Sequence, residues 1–265
     1  MSTAKLSRAR SFLSAAELPK RPRQPTEMLS GGAAGKPAAV EAALASGKQQ
    51  AAVVGSEVVS FASAVAAEFR QDLINSSLFA QLVAKKKVPD ASRIFDWYDA
   101  YFDALEHIGW AVADKGFAIY VETAKNLDAH EAILKVASSL LMPSAGSVAL
   151  VKTTLEALQS METNSPWITL FNRESQQASA ARFQISLADQ TADGALTVAL
   201  MAFGLEAKAT LTQVLFVKLS ASQATLRHCS AKVAVDTHLL GELRGDLQAK
   251  LVAHAKSFVK TLPDF

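Results

Sequence analysis

Arg182-Phe183-Gln184-Ile185-Ser186-Leu187 alternates without a break, apolar at every odd position and polar at every even one. Successive side chains of a strand leave opposite faces, so a period of two predicts a β-strand half-buried on one face. Outward from it, Asp193-Gly194 supplies a turn before the apolar run Leu196 to Leu205, and Thr210 to Leu219 and Thr225 to Val235 follow across short polar links. Links this short suit antiparallel neighbours, which predicts a four-stranded meander. Leu239, Leu243, Leu247, Leu251 and Phe258 then fall at helical steps, ending at Pro263.

Upstream the period lengthens. Val54, Val58, Phe61, Val65, Phe69 and Leu73 recur every three or four residues, and Leu78 and Leu82 renew the stripe, predicting one amphipathic helix from Val53 to Val83. Lys85-Lys86-Lys87 sits where cations suit a helix C-terminus, and Pro89 stops the turn. The triple lysine reads as a solvated cap or as a patch for a membrane or phosphate. Ser92 caps a second helix carrying Ile94, Phe95, Trp97, Tyr98, Tyr101, Phe102, Leu105 and Ile108, closed by Gly109. Its crowded aromatics read either as core or as the wall of an apolar pocket. Asp128 with Glu131 opens a helix to Leu141, another spans Gly146 to Met161, and Ser165-Pro166 starts a third. The fold class is α+β: a helical N-terminal half packed on a C-terminal antiparallel β-meander, closed by a C-terminal helix.

Residues 1–50 contain four prolines, the Gly31-Gly32 pair and few large apolar side chains, which predicts a flexible basic tail ahead of a single globular domain over 51–265. Eight Lys/Arg against three acids give that stretch +5 of a chain total of +2, leaving the body at −3. A near-neutral body argues against nucleic acid as a partner, while the basic start suits an anionic membrane surface or an organellar transit segment. No continuous apolar h-region marks a secretory signal, and no run approaches the ~18 apolar residues of a membrane span. The expected location is cytoplasmic, with export without a leader left open.

Half of the 265 residues are hydrophobic, enough for a sizeable core. The five histidines show no HxxxH or HExxH spacing, and one cysteine forms neither a CxxC pair nor an internal disulfide. No metal or dissociable cofactor is therefore expected. Gly31 to Lys36 lacks the spacing of a phosphate loop, and no Gly-x-Ser-x-Gly elbow occurs. Cys229 remains. Strand parity places it with Ala231, Val233 and Val235, and sends His228, Ser230 and Lys232 to the other face, so His228 is not a base for this thiol. Cys229 reads as a small buried hydrophobe or as the attachment point of a fatty acyl chain lying in an internal cavity.

The segment Thr225-Leu226-Arg227-His228-Cys229-Ser230-Ala231, the helical region ahead of it and the overall size resemble the Erwinia virulence factor (Evf) family. The resemblance implies helices around a mostly antiparallel sheet, with the lone cysteine, here Cys229, carrying palmitate as a thioester in a hydrophobic channel. A bacterial virulence or effector-like role would follow, with a fatty acid or acyl donor as partner. The alternatives are a Cys229-dependent thioesterase or acyltransferase, and a non-enzymatic module for a protein or membrane surface.

Overall fold

The computed structural model describes residues 3–20, 43–112, 115–120, 126–142, 144–208, 210–211, 213–220 and 222–263. A first helix, α1 (Thr3–Ala15), precedes a hairpin of β1 (Gln50–Val54) and β2 (Glu57–Phe61). Helices α2 (Ala67–Lys87) and α3 (Ile94–His107) lead to three short strands, β3 (Trp110–Ala111), β4 (Ala118–Ile119) and β5 (Asn126–Asp128). Three more helices follow, α4 (Ala129–Leu141), α5 (Ala145–Gln159) and α6 (Pro166–Ser175). After β6 (Gln176–Gln177) come the long strands β7 (Ala180–Gln190) and β8 (Leu196–Ala207), then β9 (Lys218–Ser220) and β10 (Ala224–Val235). The chain closes with α7 (Thr237–Leu251), α8 (Ala255–Phe258) and β11 (Val259–Thr261).

The class is α+β. One mixed sheet runs β11-β1-β2-β7-β8-β10-β3, with β2 parallel to β7 and β4 also lying along β10. Helices cover both faces. On one, α1, α2, α3 and α7 bury Phe61, Leu200, Ala202, Cys229 and Val233. On the other, α4, α5 and α6 bury Val58, Phe183, Ile185, Met201 and Leu205.

The structure corrects six readings, five in the elements and one in a helix cap. Residues 53–61 belong to a hairpin, and the helix begins only at Ala67. A hairpin buried on both faces is apolar at nearly every position, so a helical step can be picked out of it by chance. What decides is Gly55 between the β-branched pairs Val53-Val54 and Val58-Val59: it takes φ +57°, the left-handed region that disfavours a Cβ. Second, the meander has three long strands, not four. Among the described residues of Thr210 to Leu219 only the end is strand, and β9 pairs with β5 in a separate ribbon while Leu211, Val214, Leu215 and Val217 pack irregularly against the α4–α6 side.

Third, the C-terminal helix ends at Leu251; after the short α8 the chain returns as β11 beside β1, with Val54 opposite Val259. Fourth, Thr3–Ala15 is helical, whereas its composition predicts a flexible tail. Ala9 and Leu13 are buried, Lys5 pairs with Asp236 at 2.6 Å and Arg10 with Asp246 at 3.2 Å on α7, and Phe12 stacks on His107 at 4.0 Å. Residues 21–42, which hold the Gly31 to Lys36 run and the middle of the expected tail, lie outside the described residues. Fifth, β7 is not half-buried: Gln184 and Ser186, on its polar face, are fully buried beneath α2 and α3, and Arg182 is 5% exposed.

The helical caps follow the sequence more closely. Asp128, Ser144, Ser165 and Asp236 each accept a backbone N–H of the first turn of α4, α5, α6 and α7. Ser92 is not the cap of α3; it donates instead to Asp90 at 2.7 Å.

Candidate functional site

The buried polar face of β7 meets polar side chains from β2, α2 and α3, forming a seam along the parallel β2–β7 pair. Glu57 is fully enclosed, its two carboxylate oxygens taking hydrogen bonds from Ser186 and Ser77, with Tyr101 Oη at 3.5 Å. Burial pushes this carboxyl up from its ordinary range, and the hydroxyls of Ser186, Ser77 and Tyr101 offset part of the rise. Gln81 Oε1 accepts from Ser56 N at 3.0 Å, and its Nε2 donates to Val54 O at 2.8 Å and Ser77 Oγ at 2.9 Å. Ser56 Oγ lies 3.1 Å from Gln184 Oε1, and Gln184 Nε2 donates to Tyr98 Oη at 3.1 Å. Tyr98 Oη in turn sits 2.8 Å from both the Phe183 and Phe203 carbonyls.

A raised carboxyl among hydroxyls can serve as a general acid only where a reactant reaches it. Glu57 and Tyr101 are enclosed by packed side chains, so the seam acts within the fold. The aromatics Trp97, Tyr98, Tyr101 and Phe102 are core: Trp97 stacks on Tyr101 at 5.3 Å and Tyr98 on Phe102 at 5.8 Å.

A second place faces solvent. Between α1 and α2 a groove of about 470 Å³ is lined by Phe12, Ala15, Ala16 and Val83, with Lys86, Lys87 and Glu17 among its charged residues. Lys86 holds Glu17 at 3.2 Å, Lys87 holds Asp103 at 3.0 Å, and Lys87 Nζ also lies 5.7 Å from the centre of the Phe12 ring. These pairs are exposed, and exposed pairs contribute roughly 0–1 kcal/mol, so the ammonium groups are readily exchanged to another anion. The groove exists because α1 docks on α7 and α3, which sets it alongside α2. A sequence reading that takes α1 for a tail cannot find it; the signal available is the triple lysine at the end of the long helix.

Cys229 lies on the α2–α3 side of the sheet with Val233 and Val235, opposite Ala202 of β8, and is 6% exposed. It lines neither the α1–α2 groove nor the small cavity beside Arg182. His228 points to the other face, its ring 6.3 Å from Phe203 and 6.4 Å from Tyr120, and burial lowers its pKa. Along the outer edge of β10, β4 pairs with Arg227 and His228 and β3 with Ala234 and Val235. Among the described residues no group of His, Cys, Asp and Glu could hold a metal, and no helix is long and apolar enough to cross a membrane.

No family model matches the sequence, and no curated protein does. Among solved structures the chain is similar in layout to a delta-endotoxin, at 13% identity and a TM-score of 0.34, over 69% of this chain and 84% of that one. It is likewise similar to the Evf virulence factor, at 12% identity and a TM-score of 0.32, over 81% of this chain and 84% of that one.

Proposed function

We propose that the protein binds a single-chain anionic amphiphile, typified by a long-chain fatty acid, and does so as an effector-like binding protein without turnover. The observation that carries this reading is the α1–α2 groove: about 470 Å³, walled by Phe12, Ala15, Ala16 and Val83, with Lys86 and Lys87 in place for a carboxylate. Its volume is in the range of small-molecule sites, and an apolar wall with a few charged groups suits a hydrocarbon chain with one anionic end. Each methylene buried contributes about 0.8 kcal/mol, so chain length should set affinity.

Calorimetric titration with fatty acids of increasing length, below their aggregation concentrations, tests this. Saturable heat should appear for wild type and tighten with chain length. It should weaken about tenfold or more in Lys86→Glu/Lys87→Glu, and vanish in Ala16→Trp, which fills the groove. No saturable binding by folded wild-type protein would overturn the reading.

A covalent form of the same reading places the chain on Cys229. Its support is that the chain's single cysteine lies in the apolar layer between the sheet and α2–α3. Intact-mass measurement after purification from bacteria separates the two forms. A hydroxylamine-labile adduct absent from Cys229→Ser establishes the covalent one, and a bare mass alongside saturable binding leaves the groove as the site.

A further inference from the structure

A small cavity lies where the β1–β2 turn, α2, α3, α6, β7 and α8 meet, lined by Ser56, Gln81, Lys85, Trp97, Glu174, Arg182 and Phe258 among others. Two of its residues carry unsatisfied donors. Arg182 Nε and Trp97 Nε1 are buried and have no hydrogen-bond partner among the described residues. The residues themselves are 5% and 2% exposed, so water outside the protein does not reach these donors. Buried N–H groups are rarely left unpaired, and a guanidinium N–H least of all. The Arg182 group stacks over the Trp97 ring at 4.6 Å, and its Nη1 donates to Ala91 O at 3.2 Å.

The charges around this cavity do not balance. Lys85, Arg173 and Arg182 surround Glu174, whose Oε2 already holds Lys85 at 2.9 Å while its Oε1 holds Arg173 at 2.7 Å. The other acid nearby, Glu57, has both oxygens engaged by Ser186 and Ser77. Lys85 and Arg173 also reach solvent, so the buried Arg182 guanidinium is the charge left without an ion-pair partner among the described residues. The room is about 10 Å³, enough for a single water-sized sphere and too little for a phosphate, a sulfate or a ligand carboxylate.

From the orphaned donors, the uncompensated positive charge and the size together, we propose that this cavity binds one monatomic anion of chloride size, held by Arg182 and Trp97. Water would satisfy the donors but leave the charge uncompensated; a halide does both. Bound there, the ion ties the N-terminal hairpin and α2 to α6 and α8, and it is a structural ligand of the fold.

The test uses the full chain. Thermal unfolding is compared in sodium chloride and in sodium gluconate at equal ionic strength, since gluconate is too large to enter. Chloride and bromide should raise the midpoint saturably for wild type. Arg182→Gln should lose that dependence, and Glu174→Gln, which removes the competing carboxylate, should reach saturation at a lower chloride concentration. A halide effect that persists in Arg182→Gln, or wild-type midpoints equal in both salts, overturns the proposal. Crystals of wild type soaked in bromide give a readout independent of how the variants fold: an anomalous peak between Arg182 and Trp97 is expected, and its absence at high bromide excludes the site.

Discussion

Replacing Gly55 by alanine tests the hairpin that separates the observed fold from a continuous helix. Gly55 sits at φ +57°, and a Cβ at this position would collide with Gln81 Oε1. Two effects add. An L-residue in the left-handed region costs about 1–2 kcal/mol. Moving the Gln81 amide aside breaks its bond to Ser56 N, and a buried donor left unsatisfied costs about 1–3 kcal/mol more. The sum is about 2–5 kcal/mol. Gly194 is the internal control, because at φ +87° a Cβ would meet nothing within 4 Å and so bears only the backbone cost. Equilibrium urea unfolding followed by circular dichroism, with m values held equal, gives both numbers. Gly55→Ala should exceed Gly194→Ala by about 1–3 kcal/mol. In a Gln81→Ala background, which removes the obstructing oxygen, the two glycine substitutions should cost the same. Equal costs in the wild-type background, or an undiminished Gly55→Ala penalty once Gln81 is gone, would refute the packing described for this turn.

Glu57 governs a pH dependence of known sign. Its folded-state pKa is raised, so the folded protein holds this proton more tightly than the unfolded chain, and stability falls as pH rises from the ordinary glutamate value of about 4.3 to the raised one. Glu57→Gln should flatten that part of the stability–pH curve and become more stable than wild type above it, by about 1.4 kcal/mol per tenfold rise in proton affinity; an unchanged slope refutes the assignment. Tyr98→Phe removes the hydroxyl shared by the Phe183 and Phe203 carbonyls and Gln184 Nε2, and urea unfolding should register a loss of about 2–4 kcal/mol. Arg244 grips the buried Asp72 carboxylate through Nε at 2.8 Å and Nη2 at 2.7 Å. By the same unfolding assay, Arg244→Ala strands that charge and should cost about 3–5 kcal/mol, whereas Lys5→Ala, which breaks an exposed pair, should stay within about 1 kcal/mol.

Local chemistry was legible wherever it acts over a few residues. Asp128 and Ser165 cap helices by bonds to their own first turns, and β7, β8 and β10 are long enough for their period to dominate. The parity of Cys229 follows from the same rule. What escaped is what depends on the other side of the contact. Gln184 and Ser186 look like water-facing positions because polar residues alternate there, yet α2 and α3 cover them and Ser56, Tyr98 and Glu57 supply their partners. No period within β7 encodes that a remote hairpin brings a buried acid beside it. The Thr210 to Leu219 segment escaped in the opposite sense: Leu211, Val214, Leu215 and Val217 pack against α4–α6 outside any strand, and only its end pairs, as β9.

The seam also answers a topological question. The β1–β2 hairpin joins the sheet through a parallel pair, with Val58 opposite Ile185 and Ser60 opposite Leu187. On the other side of that pair the same strands present Val59 and Phe61 to the α2–α3 layer. A slip of the hairpin by one residue would exchange the faces of β2, and the Glu57 carboxyl would fall on the side of Phe183, Ile185 and Leu187, away from Ser77 and Ser186. A slip of two keeps the faces and nearly the same apolar burial, so hydrophobicity alone separates it weakly from the native register. It does, however, move Glu57 about 7 Å along the strand, away from Ser77 on α2, which stays where it is. Only the native register lets one carboxyl meet a hydroxyl from β7 and another from α2 at once. The buried acid therefore contributes to which pairing forms more than to how strongly it holds, and this is consistent with its position at the turn end of β2, where the hairpin first meets the long strand.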